Sequence, residues 1–321
     1  MTKPRVFVTR QIPKAGLDLL RAHCAAEVWP GELPPSPSEL LEGVRQAHGL
    51  LCLLTDTVNA AVMRAGPLKV ISNMAVGVDN IDLAAATARR TPVGNTPGVL
   101  TEATADFAFA LLMAAGRRVV EAERYVRAGS WKTWGPQLLL GADFAGATLG
   151  LVGFGRIGQA VARRAAGFGM RLIFCDPSAG PAFGAVPVDL DTLLRQSDFI
   201  SLHVPLTAGT RHLINGASLL KMKPTAVLVN TSRGPVVDQE ALYQALKRGR
   251  LFAAALDVTE PEPLAAGSPL LELDNCIIVP HIASASRHTR DQMALIAAQN
   301  IVAGLRGERL PHCVNPEVYG A

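Results

Sequence analysis

Short continuous apolar runs alternate with amphipathic stretches along the first 97 residues of the chain. The apolar runs predict strands at residues 6–8, 49–54, 69–72 and 92–93. The amphipathic stretches predict helices at residues 14–22, 38–47, 60–65 and 82–90. Strands of a parallel sheet are buried on both faces, and helices usually connect them. The pattern therefore predicts one parallel α/β unit before the middle of the chain.

A second alternating pattern follows a long helical stretch. Residues 99–128 predict a helix, and an aromatic loop at 130–136 comes after it. Strands are predicted at residues 148–152, 171–175, 199–202, 226–230, 253–256 and 276–279. A last helix is predicted at 286–305, and we interpret it as returning to the first unit. The predicted fold is α/β with two doubly wound parallel-sheet domains, 1–97 with 286–321 and 98–285.

Composition and charge narrow the class of protein. The 321 residues are 49% hydrophobic and 18% charged, as in globular proteins. A net charge of +4 without a basic run gives no reason to expect a nucleic-acid partner. The five cysteines form no CxxC pair, so neither a disulfide framework nor a metal site is expected. The amino terminus has an apolar core of only three residues, too short for a signal peptide, and the longest apolar run, at 107–116, is too short for a membrane span, so we expect a cytoplasmic protein without a membrane partner.

A glycine-rich turn, Gly153-Phe-Gly155-Arg-Ile-Gly158, joins a predicted strand to an amphipathic helical stretch. Such glycines allow a tight turn and bring backbone N–H groups and a helix N-terminus close to a pyrophosphate. Asp176 ends the next strand, where an acid hydrogen-bonds a ribose 2′-OH. A carboxylate there would repel a 2′-phosphate. The turn therefore predicts a dinucleotide, with NAD(H) favoured and NADP(H) left open.

Three charged residues each follow an apolar strand. Arg233, Glu262 and His281 are therefore expected at the carboxyl edge of a parallel sheet, where ligands bind. Arginine binds a carboxylate bidentately, histidine can protonate a carbonyl oxygen near neutral pH, and a carboxylate can orient that imidazole. Taken singly, each also has an ordinary structural explanation, as a turn cap, a solvated loop residue or a buried histidine. Together, after a dinucleotide turn, they predict a 2-keto acid reductase.

The chain resembles the D-isomer-specific 2-hydroxyacid dehydrogenases, and within them the glyoxylate/hydroxypyruvate reductases. The segments that carry the resemblance are 76–82, 95–102, 153–158, 203–207, 230–234, 256–263, 281–284 and 297–308. The resemblance implies a flavodoxin-like substrate domain and a Rossmann NAD(P)-binding domain, with the active site in the cleft. It implies NAD(P)H-dependent reduction of glyoxylate and hydroxypyruvate to glycolate and D-glycerate by hydride transfer.

The resemblance also implies roles for individual residues. Arg233 is expected to bind the substrate, Glu262 to partner the histidine, and His281 to act as the general acid. Further substrate contacts are implied for Leu53, Val76, Gly77 and Trp134. Cofactor contacts are implied for Thr104, Gly153, Phe154, Gly155, Arg156, Ile157, Gly158, Asp176, Pro177, Val204, Pro205, Thr210, Thr231, Ser232, Arg233, Asp257, His281 and Ser284.

A homodimer is expected through the long helix and the aromatic loop, at about residues 99–145, and a higher assembly stays open. Trp134 is then expected to reach the neighbouring subunit's site, although a buried loop anchor is an alternative. Asp257 is expected to meet the nicotinamide amide, with Ser284 near the same ring.

Three alternatives stay open at this point. A dinucleotide-sensing, corepressor-like protein could use the same fold, and another D-2-hydroxy acid could be the substrate. Eukaryotic hydroxypyruvate reductases tend to have Gly-Arg-rich residues after the second nucleotide-domain strand and to prefer NADPH, whereas this chain has Asp176-Pro-Ser-Ala-Gly180. Formate dehydrogenases, which have Gln as the partner of the histidine, are disfavoured by Glu262.

Overall fold

A computed structural model describes residues 3–320, which divide into two compact units. Unit 1 contains residues 3–100 and 285–320, and unit 2 contains residues 101–284. The observed boundaries, 100/101 and 284/285, lie beside the predicted boundaries at 97/98 and 285/286. No helix within residues 3–320 combines the length and apolar character that a membrane crossing needs.

Unit 1 is a parallel sheet with helices on its faces. Its strands are β1 (Arg5–Val8), β2 (Ala25–Val28), β3 (Gly49–Cys52), β4 (Val70–Asn73) and β5 (Val93–Gly94). Its helices are α1 (Lys14–His23), α2 (Pro37–Val44), α3 (Ala60–Ala65), α4 (Leu83–Ala88) and, after unit 2, α11 (Arg287–Leu305). The order β2-β1-β3-β4-β5 is that of a flavodoxin-like sheet. Helix α11 packs on α1 so closely that a Cβ at Gly16 would lie 2.7 Å from the Ala294 carbonyl oxygen.

Unit 2 is a larger parallel sheet. Its strands are β6 (Thr148–Val152), β7 (Arg171–Cys175), β8 (Val186–Pro187), β9 (Phe199–Leu202), β10 (Val227–Asn230), β11 (Ala253–Leu256) and β12 (Cys276–Ile278). Its helices are α5 (Thr101–Gly116), α6 (Val119–Arg127), α7 (Arg156–Gly167), α8 (Leu190–Gln196), α9 (Gly216–Lys221) and α10 (Gln239–Lys247). The order β12-β11-β10-β9-β6-β7-β8 reverses direction between β6 and β9, where doubly wound sheets bind ligands. The predicted fold class is confirmed.

The central strands of unit 2 consist mainly of apolar residues because both faces of the sheet are covered. Val227 and Val229 of β10 belong to one buried cluster, whereas Leu228 between them belongs to another. Successive side chains of a strand point to opposite faces, so a strand covered twice has no polar alternation.

The helix predicted at 99–128 is wrong in one respect, because the chain forms two helices there, α5 and α6. Arg118 between them has a left-handed backbone, with φ of 53°, which interrupts the helical hydrogen bonds. Its guanidinium donates two hydrogen bonds to the Glu121 carboxylate, at 2.8 and 2.6 Å. The side-chain pattern alone gives no sign of this break.

Two strands are absent from the sequence prediction. Strand β2 is an edge strand whose residues alternate between exposed and half-buried, and both residues of β8 are exposed. Edge strands need no continuous apolar run, so the signal used for the central strands does not detect them.

Candidate active site

The glycine turn after β6 is built so that side chains are excluded at two positions. Gly153 has φ of 90°, and a Cβ there would lie 2.6 Å from the carbonyl oxygen of His203. A Cβ at Gly158 would lie 2.3 Å from the carbonyl oxygen of Gly153. At Gly155 a Cβ would meet no described atom within 4 Å, so the backbone is open on that side. Helix α7 begins at Arg156, and this open turn therefore fits a diphosphate at a helix N-terminus.

Asp176 follows β7 and lies against this turn. One carboxylate oxygen accepts a hydrogen bond from the Phe154 N–H at 2.8 Å. The other accepts from both the N–H and the hydroxyl of Ser178, each at 2.8 Å. Burial raises the pKa of Asp176, but these hydrogen bonds outweigh burial and lower it below its ordinary value. Asp176 is therefore ionised at neutral pH beside the phosphate-binding turn.

The loop after β9 contains the predicted cofactor residues Val204, Pro205 and Thr210. The Thr210 hydroxyl donates to the Pro205 carbonyl at 2.6 Å and accepts from the Thr207 N–H at 2.8 Å, which fixes the loop. His203 at the start of the loop contacts the Ser201 hydroxyl at 2.9 Å, and desolvation lowers its pKa to about 4. His203 is therefore neutral at physiological pH and is no candidate for the general acid.

Asn230, at the end of β10, shapes the turn that carries Arg233. Its amide group donates to the Arg233 carbonyl at 2.8 Å, and its oxygen accepts from the N–H and hydroxyl of Ser232 at 3.0 and 2.8 Å. A Cβ at Gly234 would lie 1.9 Å from the carbonyl oxygen of Thr259, so only glycine fits beside the next loop. The sequence analysis did not identify Asn230 as a functional residue, although it lies in the segment 230–234.

Thr231, on the same turn, has a buried hydroxyl that finds no hydrogen-bond partner among residues 3–320. Buried polar atoms are usually satisfied by protein, water or a ligand, so this hydroxyl is open to a further partner. Thr231 was predicted to contact the cofactor, and the unpaired hydroxyl fits such a contact.

Glu262 and His281 form a direct pair. His281 Nδ1 lies 2.5 Å from Glu262 Oε1, and the His281 backbone is left-handed, with φ of 54°. A histidine in this conformation is uncommon and costs free energy unless its surroundings hold it. Here the His281 N–H donates to the Asp257 carbonyl at 2.9 Å. Glu262 thus contacts Nδ1 of the ring and not Nε2.

Asp257 supports the loop that carries His281. Its buried carboxylate accepts hydrogen bonds from the N–H groups of Ile282 at 2.7 Å and Ala283 at 2.9 Å. Burial raises the pKa of Asp257 in spite of these donors. The sequence analysis assigned Asp257 only to the nicotinamide. These hydrogen bonds show that it also fixes the loop after His281, which lies too far along the chain for the sequence to reveal the contact.

Leu53, Val76 and Gly77 lie in unit 1, on the loops after β3 and β4. The Asn73 amide donates to the Gly77 carbonyl at 2.9 Å and to Asn80 Oδ1 at 3.0 Å. Asn80 in turn donates to the Leu53 carbonyl at 3.0 Å. The two loops are therefore joined through paired amides. The sequence analysis did not identify Asn73 or Asn80 as functional.

The remaining predicted cofactor residues are distributed along unit 2. Thr104 is buried on α5, Arg156 and Ile157 begin α7, Pro177 follows Asp176, and Ser284 ends the unit half-buried. Within residues 3–320, no group of three or more His, Cys, Asp or Glu side chains is arranged to hold a metal ion.

Trp134 is 77% exposed, so the alternative of a buried loop anchor is wrong for the single chain. Trp131 and Leu140 of the same segment are also exposed, at 58% and 61%. On the neighbouring helix α6, the large apolar side chains of Val119 and Val126 are more than half exposed. These five exposed apolar side chains lie on helix α6 and the loop that follows it, and together we call them the α6 surface.

Comparison with known proteins decides the family. Residues 109–283 match the sequence model described as "D-isomer specific 2-hydroxyacid dehydrogenase, NAD binding domain". The chain belongs to the D-isomer-specific 2-hydroxyacid dehydrogenases. The family match and the whole-length relatives named glyoxylate reductase together support an oxidoreductase.

Individual relatives within the dehydrogenase family match almost end to end. A glyoxylate reductase of Korarchaeum cryptofilum is 55% identical, with 98% of this chain and 97% of that protein covered. A solved structure from Thermus thermophilus is 51% identical and has a TM-score of 0.93, covering 97% of this chain and 99% of the other. The NADPH-dependent glyoxylate/hydroxypyruvate reductase of Sinorhizobium meliloti, solved with NADP and malonate, is 31% identical with a TM-score of 0.86 over 98% of both chains.

As a D-2-hydroxyacid dehydrogenase, the chain takes an NAD(P) dinucleotide as its cofactor. The open Gly155 backbone, the Asp176 carboxylate and the unpaired Thr231 hydroxyl all fit this group. All three lie at the carboxyl ends of strands β6, β7 and β10.

Proposed function

We propose that the chain reduces the small 2-keto acids glyoxylate and hydroxypyruvate to glycolate and D-glycerate. The observation that carries this proposal is the contact of 2.5 Å between His281 and Glu262, at the same sheet edge as Arg233. The kinship to enzymes named glyoxylate reductase supports the choice of substrates.

His281 is the proposed proton donor. Glu262 accepts a hydrogen bond from Nδ1–H and orients the imidazole, so that the Nε2–H of the protonated ring delivers its proton to the keto oxygen. Arg233 binds the substrate carboxylate, for which its planar guanidinium is suited. The N–H groups of Val76 and Gly77 are proposed as further donors to that carboxylate, with Leu53 lining the substrate pocket. When bound, the reduced cofactor supplies the hydride that reaches the keto carbon.

We assign the dinucleotide to residues 98–285 and the substrate loops to 1–97 with 286–321. NADH is the preferred cofactor in this proposal. The Asp176 oxygen that accepts from the Phe154 N–H keeps a second lone pair, so it can also accept a hydrogen bond from a ribose 2′-OH. Its negative charge opposes a 2′-phosphate at the same place. Residues 177–181 contain no Arg or Lys to offset that repulsion.

The α6 surface is proposed as the contact between two copies of the chain. Exposed apolar side chains in one patch are typical of interaction surfaces. Trp134, the most exposed of them, is proposed to reach the partner's substrate site. Light scattering of the wild-type chain and of Val126→Glu tests this, and a chain that is monomeric at micromolar concentration contradicts it.

The activity is tested by following NADH and NADPH oxidation in parallel with glyoxylate, hydroxypyruvate and pyruvate. Faster turnover with NADH and either of the first two acids supports both the substrate and the cofactor proposal. Turnover with NADPH alone retains the reductase and contradicts the assignment of Asp176. Turnover with pyruvate alone contradicts the substrate proposal.

A further inference from the structure

Glu260 lies two residues before Glu262, and its polar groups bond to other loops of unit 2. Its Oε1 accepts a hydrogen bond from Arg211 Nη2 at 2.6 Å, and its Oε2 lies 3.2 Å from His212 Nε2. Its N–H donates to Gln239 Oε1 at 2.8 Å, and its carbonyl accepts from Gln239 Nε2. We call Arg211, His212, Gln239 and Glu260 the Glu260 cluster.

The partners of Glu260 belong to the other two loops of the proposed site. Arg211 and His212 directly follow Thr210 on the proposed cofactor loop, and Gln239 begins α10 after the Arg233 turn. The backbone joins these two loops as well, because the His212 N–H donates to the Pro235 carbonyl at 2.8 Å. The Glu260 cluster is therefore where three loops meet: the cofactor loop after β9, the Arg233 turn after β10 and the loop after β11 that carries Glu262.

From Glu260 the connection continues to the proposed proton donor. The Thr259 hydroxyl donates to the Pro261 carbonyl at 2.8 Å, and the Thr259 N–H points to Glu262 Oε2 at 3.4 Å. The other oxygen of Glu262 is the one that contacts His281. A displacement of residue 260 is thus passed to the Glu262 carboxylate through a short, hydrogen-bonded segment.

Stabilisation of the fold does not account for this arrangement. The side chains of Glu260 and Arg211 are 33% and 51% exposed, and ion pairs with this exposure contribute little to the free energy of unfolding. By contrast, the geometry of a general acid is sensitive to small displacements. The Glu260 cluster is therefore expected to affect the position of the Glu262 carboxylate more than the free energy of unfolding.

We propose that Glu260 and Gln239 are positioning residues, which hold Glu262 against His281 and tie that pair to the cofactor loop. The proposal rests on the proposed reductase function, because it acts through the same pair. It adds residues outside the set that was assigned to substrate, cofactor or proton transfer.

The test compares Glu260→Gln with a matched ion pair elsewhere in unit 2. Lys221 and Asp191 lie 2.5 Å apart with side chains 34% and 53% exposed, on helices α9 and α8. Asp191→Asn therefore removes a similar pair without touching the three loops. For Glu260→Gln we expect kcat to fall on the order of tenfold and the Kd for NADH to rise about threefold. Both variants are expected to melt within a few degrees of wild type.

Arg211 supplies a second check. Arg211→Gln should reproduce most of the loss of Glu260→Gln, and the double variant should lose no more than Glu260→Gln alone, since both substitutions break the Arg211–Glu260 pair and only Glu260→Gln also alters the His212 contact. Arg211→Lys, which keeps the charge, should restore most of the activity. Full additivity of the two losses would overturn the proposal.

Other outcomes separate the positioning role from the reductase function. If wild type turns over keto acids and Glu260→Gln matches Asp191→Asn in kcat and NADH binding, the positioning role is overturned and the function stands. If wild type turns over no keto acid but Glu260→Gln still weakens NADH binding, the cluster's tie to the cofactor loop is supported and the function is overturned. If wild type shows no turnover and Glu260→Gln shows no change in NADH binding, both the reductase function and the positioning role are overturned.

Discussion

Gly234 separates the loop of Arg233 from the loop of Glu262, and Gly234→Ala is the most direct test of their spacing. A Cβ at this position would lie 1.9 Å from the Thr259 carbonyl oxygen and 2.9 Å from the Glu260 nitrogen. Both neighbours are backbone atoms, so no side chain can rotate away. Ordinary contact begins near 3.4 Å, which means that the loops must separate by about 1.5 Å.

A displacement of that size has a predictable cost. Misplacement of a catalytic group by about 1 Å can reduce turnover on the order of 100-fold, or about 2.7 kcal/mol of activation free energy. The strain of the added methyl group should also lower the free energy of unfolding by about 1–3 kcal/mol. We therefore expect kcat/KM for glyoxylate to fall on the order of 100-fold in Gly234→Ala, while the chain remains folded.

Steady-state kinetics with NADH and thermal unfolding measure the two effects. Gly216→Ala is the matched control, because a Cβ at the first residue of α9 would meet only the Ala241 Cβ, at 4.0 Å. If Gly234→Ala keeps kcat/KM within twofold of Gly216→Ala, the two loops do not need this spacing and the proposed site geometry is wrong.

Three further substitutions test individual roles. His281→Ala should lower kcat by about 100- to 10,000-fold with NADH affinity unchanged in a fluorescence titration, and near-normal kcat would exclude His281 as the general acid. Arg233→Ala should raise KM for glyoxylate and lower kcat together, and an unchanged KM would remove its carboxylate role. Asp176→Ala should reduce the NADH/NADPH ratio of kcat/KM, and an unchanged ratio would contradict the ribose contact. Because the pKa of Asp176 is lowered in the folded chain, the ionised carboxylate stabilises the fold at pH values above the unfolded pKa of about 3.9. This stabilisation is lost as the pH falls through the folded pKa. The melting temperatures of wild type and Asp176→Ala should therefore converge at low pH.

The parts of the fold that the sequence predicts are those governed by local chemistry. Central strands such as β6 and β10 consist mainly of apolar residues because both of their faces are buried, and a short window detects them. The bend at Arg118 depends on a left-handed residue that is not glycine, and the exposed edge strand β8 depends on pairing with β7. Neither leaves a local pattern.

The candidate site divides in the same way. The glycine turn and the residues after strands stand out because their position along the chain is informative. Asp257 contacts residues 25 and 26 positions away, and Glu260 contacts Arg211 from 49 positions away. Support of this kind depends on which strands are neighbours, so it becomes visible only once the sheet order is known.

The position of helix α11 in unit 1 has a consequence for the order in which the protein is made. Its Ile301 is fully buried, and its Asn300 donates to the Asn95 carbonyl at 3.0 Å and accepts from the His312 N–H at 3.2 Å. On the ribosome, all of unit 2 is therefore synthesised before the helix that completes unit 1 emerges. Unit 2 can fold as soon as its own segment has left the ribosomal exit tunnel, whereas strands β3 and β4 keep one apolar face uncovered until α11 has been synthesised. Chaperone binding during translation should accordingly concentrate on the first hundred residues.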